Sequence, residues 1–403
     1  MSASAWLTII GIAEDGLDGL SFDARERLSQ AALVVGGARH LGLIGDTPAE
    51  RMTWPSPLQD AFPAIHARRG EPVCVLASGD PFFFGVGSLI AEIVPPGEIV
   101  CLPQPSAFSL AASRLGWALQ DCALISLHGR ALERVVPHLH PGARALALSW
   151  DGDTPRNLAA LLWERGLGRS RLTVCEAMGG RRERLRAAFA EGFDLIGVDP
   201  LNTVAIEVAA GPGLRIPSRA AGLPDDWFEH DGQITKREMR AVTLAQLAPR
   251  PRQRLWDIGA GSGSISIEWL LADPAMRAVA VERDPARCGR IRRNAAALGV
   301  PHLDVVQGAA PEALAGLEPP DAIFIGGGVS EPGLIDLCWT ALPPRGRLVV
   351  NAVTLEAQAE IAAAQRRLGG DLLMTQFAHG ETLGRFRGFR PSMPSVQWSA
   401  IKP

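Results

Sequence analysis

Residues 254 to 263 read Arg254-Leu255-Trp256-Asp257-Ile258-Gly259-Ala260-Gly261-Ser262-Gly263, and a run of helical character follows from Ser264 to Ala272. An apolar β-type stretch that ends in a glycine-rich turn and opens a helix lets a ligand lie against backbone where a side chain would obstruct it. Taken alone, the GxGxG spacing is either a dinucleotide fingerprint or a tight turn. Its surroundings add a series of apolar runs at 277–282 (RAVAVE), 303–308 (LDVVQG), 322–327 (AIFIGG) and 347–353 (RLVVNAV), with helical stretches between them. Strands joined by crossover helices give a parallel sheet covered on both faces, whose ligands sit beyond the carboxyl ends of the strands. Two more runs, 371–379 (DLLMTQFAH) and 395–403 (SVQWSAIKP), follow without a long helix between them and predict an antiparallel hairpin at the sheet edge.

Upstream, a Pro/Gly-rich stretch of low periodicity, Gly211 to Pro224, reads as a linker. The expected boundaries are a first domain at 1–212, a linker at 213–224 and a second domain at 225–403. The amino half carries its own alternating series, with strands expected at 8–13, 32–37, 72–80 and 98–103, then at 123–129, 143–149, 171–180 and 193–199. Two such series suggest two small lobes around a cleft. At 403 residues the chain exceeds what one hydrophobic core usually serves, which agrees with several lobes.

Residues farther along sharpen the reading of the glycine turn. The strand after it ends at Glu282, about twenty residues on, where a carboxylate can accept hydrogen bonds from both ribose hydroxyls of a nucleoside, each worth about 1.5–3 kcal/mol. Asp284-Pro285 reads as a helix cap with proline in the first turn. Gly308-Ala309-Ala310-Pro311-Glu312 offers a small-residue turn against which an adenine can lie. These elements together resemble the class I S-adenosylmethionine methyltransferases. The preceding segment, His230-Asp231-Gly232-Gln233-Ile234-Thr235-Lys236-Arg237-Glu238-Met239-Arg240, resembles the decarboxylating precorrin C15-methyltransferases, as do Gly308 to Leu314 and Phe324-Ile325-Gly326-Gly327-Gly328. Thr235 to Glu238 also fits a capping box. The resemblance implies cofactor contacts from Gln233 and Thr235, beside Gly259, Ala260, Gly261, Ser262, Gly263, Glu282, Ala309 and Ala310.

In the amino half, Ile10 to Ser21 resembles the opening of the tetrapyrrole methylases of the precorrin C5-methyltransferase branch, although Ala13 stands where that family usually has glycine. Leu76-Ala77-Ser78-Gly79-Asp80-Pro81 by itself fits a proline turn. The flanks Gln104 to Gly116, His128-Gly129-Arg130, Glu176 to Gly180 and Asn202 to Glu207 extend the family match. By that resemblance the cofactor lies between the lobes, near Gly79, Asp80, Phe83, Ser106, Ala107 and Met178. The whole chain resembles the fused precorrin-6Y C5,15-methyltransferases (decarboxylating) of cobalamin biosynthesis. The implied fold is α/β throughout, with a two-lobed tetrapyrrole-methylase (class III) domain before a doubly wound, Rossmann-like class I domain. The implied cofactor is S-adenosylmethionine at two sites per chain, and relatives of both halves make a homo-oligomer the expectation.

Composition limits the alternatives. A net charge of −3 argues against nucleic acid as the main partner. A base-methylating enzyme would typically carry Asn/Asp-Pro-Pro-Tyr/Phe where this chain has Gly326 to Ser330. No apolar run is long enough to span a bilayer and no signal peptide opens the chain, so the expected location is the cytoplasm, away from membranes. The six scattered cysteines lack metal-site or dithiol spacing, so no metal is expected. A non-catalytic tetrapyrrole-binding protein stays open at this level. Arg385, Arg387 and Arg390, interleaved with Phe386 and Phe389, are candidates to pair with substrate carboxylates, against the alternative of an exposed basic loop. His128, His230 and His379 are candidates for proton movement or simply hydrogen-bonded polar residues. No single acid or base stands out as catalytic.

Overall fold

The computed structural model describes residues 5–211 and 215–403. Residues 1–4, Pro212 at the end of the expected first domain, and Gly213 and Leu214 of the expected linker lie outside the described residues. The chain divides into two compact units, Met1–Leu132 with His138–Leu214, and Glu133–Pro137 with Arg215–Pro403.

The first unit holds two five-stranded sheets. One is entirely parallel, in the order β3-β2-β4-β1-β5, from β1 (Leu7–Ile12), β2 (Leu33–Gly36), β3 (Glu50–Thr53), β4 (Val73–Ser78) and β5 (Ile99–Leu102). Its central strands are buried almost throughout, as a sheet covered on both faces requires. The other sheet is mixed, in the order β6-β7-β10-β8-β9, from β6 (Cys122–Ser126), β7 (Arg144–Leu148), β8 (Arg171–Glu176), β9 (Arg184–Phe189) and β10 (Asn202–Glu207).

Here the expected strand at 193–199 is not formed; besides β10, the strand that pairs with β8 is Arg184–Phe189. The reason is electrostatic. Arg184 and Arg186 project from one face of β9 onto the fully buried Glu176, whose carboxylate also accepts the Asp199 amide. The carbonyls of Ile196 and Gly197 accept from the same two guanidiniums, so the 193–199 segment serves as their cap. Burial alone would raise the Glu176 carboxyl, but Arg186 and Arg184 overcome it and hold it at about 2.

The second unit is built on a seven-stranded sheet, β13-β12-β11-β14-β15-β19-β16. The strands are β11 (Arg254–Ile258), β12 (Arg277–Glu282), β13 (Asp304–Gln307), β14 (Ala322–Ile325), β15 (Arg347–Ala352), β16 (Asp371–Thr375) and β19 (Ser395–Ile401). The first five are parallel, and β19 runs antiparallel to both β15 and β16. The expected antiparallel pairing of the last two runs at the sheet edge is present between β16 and β19, with β16 outermost. Residues 371–379 are not one strand, β19 lies inside the sheet, and the segment between forms a separate ribbon of β17 (Ala378–Leu383) and β18 (Phe386–Pro391). Gly384, with φ +59°, supplies the left-handed turn that lets the ribbon fold on itself.

The capping box at Thr235 is also corrected. The helix Arg237–Leu247 has Lys236 as its cap residue, with no side-chain cap bond. The Thr235 carbonyl is instead taken by the buried Arg240, which also reaches Glu268, Asp225 and the Leu223 carbonyl. Glu268 in turn accepts the amides of Gly222 and Leu223, anchoring the end of the Pro/Gly-rich stretch. All six cysteines are free. Among the described residues no helix is long and apolar enough to cross a membrane.

Candidate functional site

In the second unit the strand order reverses between β11 and β14, the position where open α/β sheets part their loops and bind ligands. Gly259, Gly261 and Gly263 all have left-handed backbones, with φ of +68°, +59° and +75°. A Cβ at Gly259 would lie 2.8 Å from the Gly327 nitrogen, so glycine is what allows the loops after β11 and β14 to touch. Glu282, buried at the end of β12, accepts the Gly261 amide at 2.9 Å and the Asp284 amide at 3.0 Å. The carboxylate thereby fixes the turn and keeps lone pairs for a ligand. Asp284 caps the next helix as expected, accepting from Ala286 and Arg287.

These strand ends surround a cavity of about 990 Å³. Gln233, Thr235, Gly259, Ala260, Gly261, Glu282, Ala309 and Ala310 all line it. Ser262 and Gly263 do not. Ser262 is buried behind the turn with its carbonyl held by Asn294, and a Cβ at Gly263 would meet Ile291 at 2.8 Å, so both shape the turn from behind. Below the turn, buried Asp257 accepts from the backbone and hydroxyl of Ser266, and burial pushes its carboxyl up to about 6.

Sequence reasoning missed what holds the 230–236 segment over the cavity. Asp231 pairs with Arg287 and Arg290, 2.9 and 3.0 Å away, and accepts the Gln233 amide. Arg290, that amide and Arg287 hold its carboxyl well below the usual range. The available signal was the i, i+3 spacing of the two arginines on one helix face.

The far wall of the cavity is made by Asn351 near the end of β15 and Val353 just after it, Thr375 and Ser395 at the facing ends of β16 and β19, and the base of the ribbon at Phe377, His379 and Met393. None of Arg385, Arg387 and Arg390 is in the lining; Arg385 and Arg387 stand farther out along the ribbon. Arg390 faces His379 across the ribbon and pairs with Glu381 at 2.9 Å, Arg387 faces Thr382, and Arg385 stacks on Phe386 at 5.0 Å. Because successive residues of a strand point to opposite faces, Arg387 and Arg390, three apart, point to opposite sides of the ribbon.

In the first unit the corresponding turn follows β4. Gly79 is left-handed at φ +56°, and its carbonyl accepts the Gln104 amide. Asp80 accepts the Phe82 amide at 2.9 Å, closing the turn. Ser106 caps the helix Ala107–Leu115, Phe83 lies edge-on to Phe108 with centroids 5.5 Å apart, and Met178 packs with Phe108 in one core cluster. The six residues therefore belong to neighbouring strand and helix ends. Around them is a charged group that sequence reasoning missed. Glu14, after β1, pairs with Arg39 and with Arg182 at 3.3 Å, while the Ser78 hydroxyl lies 2.7 Å from Arg39 and 2.9 Å from His40 Nε2. Burial, with Arg39 adding to it, pushes His40 down to about 4.

Comparison with known proteins assigns both units. A tetrapyrrole (corrin/porphyrin) methylase family model matches residues 7–192 and a precorrin methyltransferase domain model matches residues 226–402. A precorrin-6Y C(5,15)-methyltransferase [decarboxylating] of Sinorhizobium is 56% identical over 400 residues, spanning 99% of this chain and 97% of its own. The chain belongs to the precorrin-6Y C5,15-methyltransferase (decarboxylating) family. The protein of the same name from Mycobacterium tuberculosis is 43% identical over 402 residues, 98% of this chain and 100% of its own. The C-terminal domain of the Rhodobacter capsulatus precorrin-6Y C5,15-methyltransferase, a crystal structure, is 48% identical at a TM-score of 0.44, covering 46% of this chain and 100% of its own. Methyltransferases of this family use S-adenosylmethionine. The glycine cradle of the second unit fits such a group, because a Cβ at Gly261 would enter the space between the turn and the Gln233 carbonyl, 3.3 Å away.

Proposed function

We propose that this chain methylates precorrin-6Y at C5 in the first unit and at C15 in the second, with loss of carbon dioxide from the ring C acetate in the second, to give precorrin-8X. The observation that carries the division is the presence of two unlike strand-end sites, one in each unit, matched by two different family models. The corresponding domain limits are 1–212 and 225–403, with one cofactor bound in each.

S-adenosylmethionine, when bound, supplies an electrophilic methyl group. The protein's task is to hold a nucleophilic ring carbon in line with it at near-attack distance. In the second unit Gly259, Ala260 and Gly261 offer backbone, Glu282 offers a carboxylate for hydroxyls, and Ala309 and Ala310 leave room for a flat base. Gln233 and Thr235 close the cavity from the segment that Asp231 pins. In the first unit Gly79, Asp80, Phe83, Ser106, Ala107 and Met178 take the corresponding part.

Calorimetric titration of the full chain with S-adenosylhomocysteine tests the reading. Two equivalents per chain are expected for the wild type and one for Gly261→Arg, whose side chain fills the cradle. With precorrin-6Y and labelled cofactor, folded Gly261→Arg retains C5 methylation and loses C15 methylation and carbon dioxide release, positions being assigned by NMR. C15 methylation at the wild-type rate in that variant would sink the division.

A further inference from the structure

The cavity of the second unit extends from the glycine turn to the base of the ribbon, and at that far wall lies His379, 3.7 Å from Glu238 of the helix Arg237–Leu247. We propose that His379 carries the proton that must move during C15 methylation and decarboxylation, and that Glu238 positions and stabilises it when charged. This rests on the reading that both steps occur in the second unit.

The chemistry requires such a group. A methine carbon that has gained a methyl group still bears its hydrogen and is saturated, so it must lose a proton to rejoin the conjugated ring. At the acetate, the bond between methylene and carboxylate carbons breaks, carbon dioxide departs, and the electron pair enters the ring, cancelling the positive charge that methyl addition brought. The methylene carbon is left doubly bonded to the ring and becomes a methyl group only by gaining a proton. One proton is lost at C15 and one is gained at the former acetate carbon. A single base that accepts the first and returns the second ends unchanged, and no oxidant, reductant or further reactant is needed.

Among the described residues lining the cavity, His379 is the one imidazole, the type of side chain that can both accept and donate a proton within one reaction. Asp225 is engaged by Arg240 and Lys236, and Glu282 by two backbone amides. His230 lies outside the cavity lining and accepts the Gly232 amide within its own turn. His128 belongs to the first unit, beside Trp150. The imidazole of His379 is more than half exposed, at 59%, so a substrate in the cavity can reach it. The charged groups facing it are Glu238 from the helix and the Glu381–Arg390 pair of the ribbon, while Lys236 lines the same cavity. Phe377 and Met393 beside it give apolar surface, which favours departure of a carboxylate as neutral carbon dioxide.

The test uses full-length His379→Gln, His379→Ala and Glu238→Gln with precorrin-6Y and labelled S-adenosylmethionine in D2O. Expected for both His379 variants is a loss of about 10²- to 10⁴-fold in formation of the decarboxylated, C15-methylated product. Deuterium delivery to the new ring C methyl slows in parallel, imidazole partly restores His379→Ala, and C5 methylation and S-adenosylhomocysteine binding stay unchanged. Glu238→Gln is expected to move the corresponding limb of the pH profile to lower pH, which a merely structural role would not do. His379→Gln with the wild-type rate, deuterium content and pH profile overturns the role of His379 while Gly261→Arg still blocks C15 chemistry. If Gly261→Arg is itself active at C15, the division between units falls and this assignment with it.

Discussion

The turn after β11 and the turn after β4 occupy the same place in their sheets but are made of different material. In the second unit three left-handed glycines expose backbone to a deep cavity, and one buried carboxylate, Glu282, holds the turn. In the first unit one left-handed glycine, Gly79, stands beside a side-chain network of Glu14, Arg39, Arg182, His40 and Ser78. A backbone site depends first on the absence of Cβ atoms, whereas a side-chain site depends first on charge balance. The two units should therefore fail differently under the same perturbation.

The largest effect is expected where strand and turn meet in the first unit. A Cβ at Gly11 would lie 2.0 Å from the Gly79 carbonyl oxygen and 2.6 Å from the Gln104 nitrogen, both backbone atoms. Gly11→Ala should destabilise the first unit by at least about 3 kcal/mol in urea unfolding. Gly259→Ala, with its left-handed backbone and a 2.8 Å approach to Gly327, should cost the second unit about 2–3 kcal/mol. Gly327→Ala is the control, because its nearest neighbour is 3.9 Å away, and should cost less than about 1 kcal/mol. Equal losses at Gly259 and Gly327 would break the account of why the two loops touch.

The pH responses should be opposite in sign. His40, lowered from 6.5 to about 4 by burial and Arg39, binds fewer protons folded than unfolded, so its contribution is present above pH 6.5 and is lost as pH falls toward 4. Asp257, raised from 3.8 to about 6 by burial, binds more protons folded, so its contribution is present below pH 3.8 and is lost as pH rises through 6. Each window is worth roughly 3 kcal/mol. Thermal unfolding from pH 3.5 to 7 should show His40→Asn flattening the rise of the first unit and Asp257→Asn flattening the fall of the second. Slopes unchanged by either substitution would remove the contrast.

The smallest stability effect is expected on the ribbon. Arg390 and Glu381 are exposed, and pairs of that kind are worth about 0–1 kcal/mol. Arg385→Gln, Arg387→Gln and Arg390→Gln combined should leave unfolding unchanged within about 1 kcal/mol and S-adenosylhomocysteine affinity intact, while weakening precorrin binding. Unchanged precorrin affinity returns the ribbon arginines to the role of solvated charges.

Much of the second unit was legible because β11, β12, β14 and β15 are buried on both faces and are written as nearly unbroken apolar runs. β9 was illegible for the opposite reason. Its side chains include two arginines whose partner is a buried carboxylate, and periodicity of apolar residues carries no trace of that pairing. Residues 193–199 alternate like a strand yet serve to cap those arginines. The capping box at Thr235 failed because a local pattern met a distant demand, the hydrogen bonding of buried Arg240. The glycine turn was readable as a ligand site, but not which of its residues face the ligand. Ser262 and Gly263 differ from Gly261 only in direction, which depends on Asn294 and Ile291 more than thirty and about thirty residues away. The far wall of the cavity was beyond reading for the same reason, since Asn351, Thr375 and His379 meet only after β19 has inserted between β15 and β16.

That insertion sets an order of assembly. Among the described residues β16 is joined to the sheet only through β19, although β16 comes first in the chain. β16 therefore joins the sheet only once β19 has found β15 and buried Trp398. Pairings of this reach slow folding. Until then, the exposed edge of β15 is the part of the nascent second unit most open to a wrong partner.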